Sequence, residues 1–189
     1  SDVREGPLSR ARATARACGC FERMSFRLCD GLSGIAPEEV DALVIAGMGG
    51  ETIANILEAA PWVKEKDFPI ILQPMSTQAE LRGWLWRNGF LCLREKTVFE
   101  GETLYSIILA RQGGAVPMTP AEEWAGRQYP GMEDPLRGLL LDHLLGRVRR
   151  ALDGMARSRA PAEARRRELE QVLEGLMEMR KEWDAWQQR

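Results

Sequence analysis

The sequence predicts an α/β domain whose parallel sheet closes with an antiparallel hairpin, followed by two long helices folded back on each other. Three observations carry this. Short apolar runs at 42–46 and 70–73 are each followed by a helical pattern, the alternation that builds a parallel sheet. Phe90 to Phe99 and Thr103 to Ala110 are strand-like with no helix between them, and their short connection at Glu100-Gly101-Glu102 forces antiparallel pairing. Beyond Gly113-Gly114-Ala115-Val116-Pro117, glycine thins out and leucine, arginine and glutamate recur at helical spacing.

The elements follow in order. Gly6-Pro7 followed by Leu8 to Ala17 reads as a helix with proline in its first turn and Gly19 as its stop. Met24 to Cys29 alternates like a strand and runs into Asp30-Gly31. Ala42 to Ala46 is apolar on both faces, ends at Gly47-Met48-Gly49-Gly50, and leads into a helix from Glu51 to Ala60. Ile70 to Gln73 is a strand closed by Pro74, and Ser76 or Thr77 caps a helix through Asn88 that Gly89 ends. After a linker at 112–120, helices are expected over Pro135–Arg157 and from Pro161 to the end, broken only at 158–162. Leucines from Leu136 to Leu152, and the stripe Leu169, Val172, Leu173, Leu176, Met177, Met179, Trp183 and Trp186, give each helix one apolar face, as in an antiparallel, coiled-coil-like hairpin. The chain thus divides into a sheet domain at 1–112 and a helical hairpin at 120–189.

Composition narrows the chemistry. Of 189 residues, 44% are apolar and 29% charged, a folded rather than disordered balance. No apolar run approaches the ~20 residues that cross a bilayer, and Ser1 to Arg10 does not read as a leader, so a cytoplasmic protein without a membrane partner is expected. The four cysteines form no C-x-x-C pair, and the single histidine, His143, lies in a leucine-rich helical stretch. That excludes an ordinary zinc site and argues against a nucleophile–histidine mechanism. The reactive group is therefore expected to come from a cofactor.

The candidate site lies at the strand ends, where open α/β sheets hold ligands. Gly47, Gly49 and Gly50 can let a ligand approach the backbone, with helix N–H groups beside them, or can simply form a tight turn. The run is not the dinucleotide fingerprint G-x-G-x-x-G. Asp30 is a carboxylate placed for a base or ribose hydroxyl, or a turn cap; Gln73-Pro74 either aims an amide into the crevice or caps the sheet.

Val44 to Gly50, Ile71 to Pro74, Leu81-Arg82 and Asn88-Gly89-Phe90 together resemble the TrmK family of bacterial tRNA (adenine(22)-N1)-methyltransferases. The likeness extends to Asp2–Ala13, Asp30-Gly31-Leu32, the hairpin with Tyr105 and the tail from Tyr129-Pro130-Gly131. It implies a Rossmann-like class I methyltransferase sheet, S-adenosylmethionine as cofactor, tRNA as partner and a helical hairpin that helps hold it. Asp2, Asp30, Gly31, Ala46 and Gly47 would bind the cofactor, Asp2 at its ribose and Asp30 at its adenine. Gly47, Met48, Gly49, Gly50, Gln73 and Pro74 would form the methyl-transfer site. The sequence departs from the family at Met75, usually Asn, and Ser106, usually Glu. It also begins near the end of the family's second strand. The first strand and its glycine-bearing loop are expected to be missing, with two sheet edges open and cofactor binding weak.

Net charge is −2, unlike many RNA binders, yet eight arginines between 147 and 167 face only Asp153 and Glu163. Arg147, Arg150, Arg157, Arg159, Arg165 and Arg166 are candidate phosphate contacts, or a solvated, salt-bridged helix turn. An exposed strand edge and leucine-rich helix face also suggest a homodimer. The alternative to a tRNA methyltransferase is a module that binds RNA or its own copies without catalysis. A nicotinamide enzyme is disfavoured by the terminal hairpin and the missing fingerprint.

Overall fold

The computed structural model describes residues 1–157 and 163–188. Four strands form one sheet in the order β1-β2-β4-β3. β1 (Leu43–Gly49) and β2 (Ile70–Ser76) are parallel, with Leu43 opposite Ile70 and Gly49 opposite Ser76. β3 (Phe90–Glu100) and β4 (Thr103–Gln112) form the expected hairpin, and β4 joins β2 antiparallel from Ile70–Ala110 to Leu72–Ile108. The expected α/β class and closing hairpin are therefore present.

The apolar runs become strands because both helices that follow them pack on one face. α2 (Gly50–Glu58) and α3 (Gln78–Arg87) bring Ile53, Leu57, Leu81 and Leu85 against Ile45, Ile70, Leu72, Phe90 and Ile108. Residues of opposite parity lie on the other face, where Val44 is 63%, Val98 41% and Ile71 37% exposed. No strand among the described residues pairs with the outer edge of β1.

Several boundaries differ from the sequence reading. α1 runs over Glu5–Ala17, starting ahead of Leu8 and ending before Gly19 at φ 67°. Met24–Cys29 is not a strand: only Leu28 forms a parallel bridge, with Asp2. An extended segment becomes a strand only where a neighbour continues the ladder, and here the neighbour turns into α1 after Arg4. β1 continues through Gly47 to Gly49, and β2 through Pro74 to Ser76. Proline is tolerated in β2 because β4 leaves it after Leu72, so its missing N–H breaks no ladder bond there.

The helical region holds an element the sequence reading passed over. α4 (Pro120–Ala125) begins with a capping box: Thr119 Oγ1 accepts from Glu122 N–H (3.3 Å), and Glu122 Oε2 accepts from Thr119 N–H (2.7 Å). α5 (Arg137–Ala156) and α6 (Glu163–Gln187) run antiparallel: Gly138 lies beside Trp183, and Asp142 pairs with Arg180 at 2.8 Å. Leu141, Leu144, Val148, Val172, Leu176 and Trp183 form their core with Ala121 and Ala125 of α4. Leu139 and Met177, expected in the apolar stripes, point outward at 47% and 51% exposure. The expected break at 158–162 lies outside the described residues.

Two buried arginines bind α3 and α5 to the end of α4, and one of them also reaches the sheet. Arg82 of α3, 1% exposed, grips Glu95 of β3 through a fork (2.8 Å) and donates to the carbonyls of Glu123 and Trp124 (2.9 Å each). Arg137 of α5, also 1% exposed, donates to the carbonyls of Ala125 and Gly126. Guanidinium groups thus satisfy the carbonyls at the C-terminal end of α4. Burial pushes the Arg137 pKa down to about 10, which still leaves it cationic at neutral pH.

Candidate functional site

The three glycines after Ile45 serve different ends. Gly50 is fixed by packing: a Cβ there would lie 2.2 Å from the Thr77 carbonyl oxygen and 3.0 Å from Leu81 Cβ. Gly49 sits beside Ser76, with its Cβ position 3.2 Å from that hydroxyl. Gly47 alone combines positive φ (78°) with open space, since nothing lies within 4 Å of its Cβ position. Its N–H donates to Gln73 Oε1 (2.9 Å), so this glutamine pins the turn. Pro74 and Gln73 lie on the neighbouring strand end, and Gln73 Nε2 points at Met75 Sδ (3.4 Å).

Beside Gly47 opens a cavity of about 750 Å³, within the range of small-molecule sites. Asp2, Asp30, Gly31, Ala46, Gly47 and Met48 all line it, although they come from three separate segments. One wall is the outer edge of β1; the other is formed by Ser1–Arg4 and the loop after Asp30. The Asp2–Leu28 bridge holds that far wall, with Asp2 N–H donating to Arg27 C=O (3.2 Å) and Cys29 N–H to Asp2 C=O (3.1 Å). Asp2 Oδ1 accepts from Arg4 N–H (2.8 Å). Arg27 bonds both the Gly34 carbonyl (2.8 Å) and Glu39, and this guanidinium pulls the exposed Glu39 carboxyl down to about 2. A second hollow of about 370 Å³ continues from Asp30 and Gly31 toward Asn55 of α2. Gly31 also has a packing reason: at φ 54° its Cβ position is 3.0 Å from Ile56. Gly49, Gly50, Gln73 and Pro74 do not line the large cavity; they border its Gly47 end.

Comparison with known proteins bears on the chain as a whole rather than on these side chains. Residues 1–108, more than half of the chain, match the family described as a methyltransferase domain. The chain belongs to the methyltransferase-domain family. It is 33% identical over 112 residues to the tRNA (adenine(22)-N(1))-methyltransferase of Bacillus subtilis (strain 168), a match covering 59% of this chain and 47% of that protein. The chain thus spans about half the length of the curated relative it matches. Among solved structures it resembles Streptococcus pneumoniae Sp1610, with a TM-score of 0.77 and 26% identity over 94% of this chain and 79% of the other. It also resembles the Bacillus subtilis m1A22 tRNA methyltransferase TrmK (TM-score 0.74, 25% identity, 94% and 79% covered). Sp1610 has in addition been solved in complex with S-adenosyl-L-methionine (TM-score 0.76, 25% identity, 94% and 78% covered). The sheet and its helices have the Rossmann-like methyltransferase fold.

None of the described arginines singled out in the sequence lines the crevice beside Gly47. Arg147 lies over the Trp124 ring (5.6 Å) and, with Arg165, lines a separate cleft of about 120 Å³ at the start of α3. Arg165 and Arg166 pair with Glu168 (2.7 Å) and Glu170 (2.9 Å) along the exposed face of α6. Arg157 Nε donates to the Asp153 carbonyl (3.2 Å), and Arg150 reaches back over Gly146. Arg159 lies outside the described residues. Trp124 was missed by the sequence reading, for which the Thr119-Pro120-Ala121-Glu122 cap was the available signal. Thr77, read there as a possible helix cap, sits at the N-cap of α3 but makes no side-chain cap bond, its hydroxyl accepting from Glu51 N–H instead. For Thr77, φ of 49° in a non-glycine residue has no sequence signature.

Among the described residues no group of three or more His, Cys, Asp or Glu could hold a metal ion. Burial, and secondarily the charge of Glu95, push the Cys92 thiol up to about 12, so it is no nucleophile at neutral pH. No helix among the described residues is long and apolar enough to cross a membrane.

Proposed function

We propose that the chain is an S-adenosylmethionine-dependent, cytoplasmic methyltransferase acting on N1 of an adenine in tRNA. The observation that carries this reading is the single cavity lined by Asp2, Asp30, Gly31, Ala46, Gly47 and Met48 beside the open glycine turn. Its donor set suits the cofactor: two carboxylates can accept from ribose hydroxyls and an adenine amine, and Gly47 leaves a cradle that a Cβ would fill. When bound, the cofactor supplies a methyl group on an electrophilic sulfonium. Asp2 would hold the ribose end, and Asp30, with the hollow toward Asn55, would take the adenine.

The chain's own residues then position the reaction. Methyl transfer to a ring nitrogen needs alignment more than acid chemistry, because adenine N1 already presents a lone pair. Gln73 keeps the Gly47 turn in place through its 2.9 Å bond. Carbonyls of the Gly47–Gly50 run, Met48 included, accept from the exocyclic amine as the base becomes cationic. Pro74 fixes the backbone beside them. N1 lies on the pairing edge, so the adenine must be unpaired or flipped out. The arginines of the α5–α6 hairpin engage RNA phosphates, and the two hydrophobic clusters support a division into 1–112 and 120–189.

A second reading, an RNA-binding module without catalysis, is favoured by one observation: the outer edge of β1, a wall of the cavity, has no strand partner among the described residues. Titration calorimetry with S-adenosylhomocysteine separates the two. Saturable heat at or below millimolar ligand, with methyl incorporation into tRNA, supports the enzyme; no heat at millimolar ligand leaves the module. The same edge, with the uncovered sheet face beside it where Val44 and Ile71 are exposed, supports a homodimer, for which sedimentation at rising protein concentration should show a mass shift.

A further inference from the structure

The cleft between the start of α3, α4 and the hairpin has no part in holding the cofactor, yet its composition is selective. Arg147 of α5 and Arg165 of α6 both line it, so it draws guanidiniums from two different helices. Trp124 forms its apolar wall beneath Arg147. The volume of about 120 Å³ has room for a phosphate group and is small for a whole nucleotide. Glu80 is the acid on its rim. Among the described residues Arg147 pairs with no carboxylate, and Arg165 has only an exposed partner in Glu168, a contact of the kind worth little in water.

The position matters as much as the charge. Thr77, which lines the cleft, is also the residue whose hydroxyl accepts from Glu51 N–H (3.2 Å) and whose carbonyl abuts Gly50. Among the described residues it is the non-glycine residue held at positive φ. The cleft therefore shares a wall with the glycine turn, and α3 begins there without a side-chain cap, because the Thr77 hydroxyl is turned toward α2.

We propose that this cleft is an RNA phosphate subsite: Arg147 and Arg165 clamp a backbone phosphate next to the base presented to the glycine turn, with Trp124 packing against the adjoining sugar. The proposal rests on the tRNA reading above and gives it a location. A phosphate clamped here registers the strand between the hairpin and the crevice, so the hairpin sets which nucleotide reaches Gly47 as well as contributing charge.

The test is fluorescence anisotropy with a labelled tRNA transcript at several salt concentrations. It compares the full chain with R147Q/R165Q and with R94Q/K96Q, which removes the same charge from the uncovered sheet face. R147Q/R165Q should weaken binding about tenfold or more and reduce the slope of log affinity against log salt by about 0.7–0.9, the value for one phosphate contact. R94Q/K96Q should change affinity less than about twofold. Circular dichroism and melting should match for all three proteins. Equal weakening by both double variants, or unchanged affinity in R147Q/R165Q, overturns the subsite. Saturable binding of inorganic phosphate that R147Q/R165Q abolishes without changing tRNA affinity assigns the cleft to free phosphate and also overturns it. If the unmodified chain binds no tRNA, it is the tRNA reading itself that fails.

Discussion

The junction around α4 and the rim around Gly47 use polar groups in opposite ways. At the junction, Arg82 and Arg137 are almost wholly buried, and their guanidiniums are spent on Glu95 and on the carbonyls of Glu123, Trp124, Ala125 and Gly126. At the rim, Asp30 is exposed and, among the described residues, no donor engages its carboxylate, while the β1 edge keeps its outer backbone groups. Both regions are rich in charge and glycine, so composition does not distinguish them. Saturation does: the network with every partner in place fixes the hairpin on the sheet, and the groups left open are those available to a ligand.

The largest effect should come from opening the saturated network. Arg82→Met leaves Glu95 and two carbonyls without their donor, and breaking a buried pair in this way costs about 3–5 kcal/mol. Asp30→Asn, on the rim, should stay within about 0.5 kcal/mol. Urea unfolding of both variants measures the contrast. Similar midpoints would show that the junction is no lock and that the distinction is mistaken.

A smaller effect separates two glycines of the same run. Gly50→Ala drives a methyl into the Thr77 carbonyl at 2.2 Å, so α2 or α3 must shift, at about 1–3 kcal/mol for such overpacking. Gly47→Ala meets no atom and costs only the left-handed backbone, about 1–2 kcal/mol. Its larger consequence should be for ligand binding, since its methyl projects into the cradle. Gly50→Ala should therefore lower the melting temperature more, and Gly47→Ala should lower cofactor affinity more. The reverse order would place the ligand elsewhere.

How much of this was legible depended on whether the signal was local. The strand–helix alternation and terminal hairpin were readable because burial on one face leaves a periodic imprint on the chain. The candidate residues Asp2, Asp30 and Gly47 could be named, but not the reason they meet, since three separate segments form one cavity. The segment from Met24 to Cys29 misled because alternation is necessary for a strand and insufficient without a neighbour. Three glycines in four residues suggested a single ligand-binding loop, yet Gly50 answers to a carbonyl two elements away. Arg82 entered the sequence reading only through the Leu81-Arg82 likeness, and its structural role was out of reach because its partners Glu95, Glu123 and Trp124 come from β3 and α4. The capping box at Thr119 was local and could have been read.

The smallest effect concerns the far wall of the cavity, where an exposed ion pair does the work that buried arginines do at the junction. Arg27 holds the Glu39 carboxyl at about 2 and also anchors the Gly34 carbonyl, so it gathers the loop that carries Asp30 and Gly31. A carboxylate whose folded pKa is depressed stabilises the fold above the ordinary carboxylate range, and that contribution is lost as pH falls toward about 2. Amide exchange across 27–40, corrected for intrinsic rates, should therefore accelerate between pH 5 and 3 relative to the junction amides of α4. Because the pair is open to solvent, added salt should weaken the dependence. Glu39→Gln should show the fast exchange at neutral pH and little further change on acidification. If protection of 27–40 in the unsubstituted chain is flat over this range, the ion pair does not hold the wall, and the rim is shaped by packing at Gly31 and Ile56 instead.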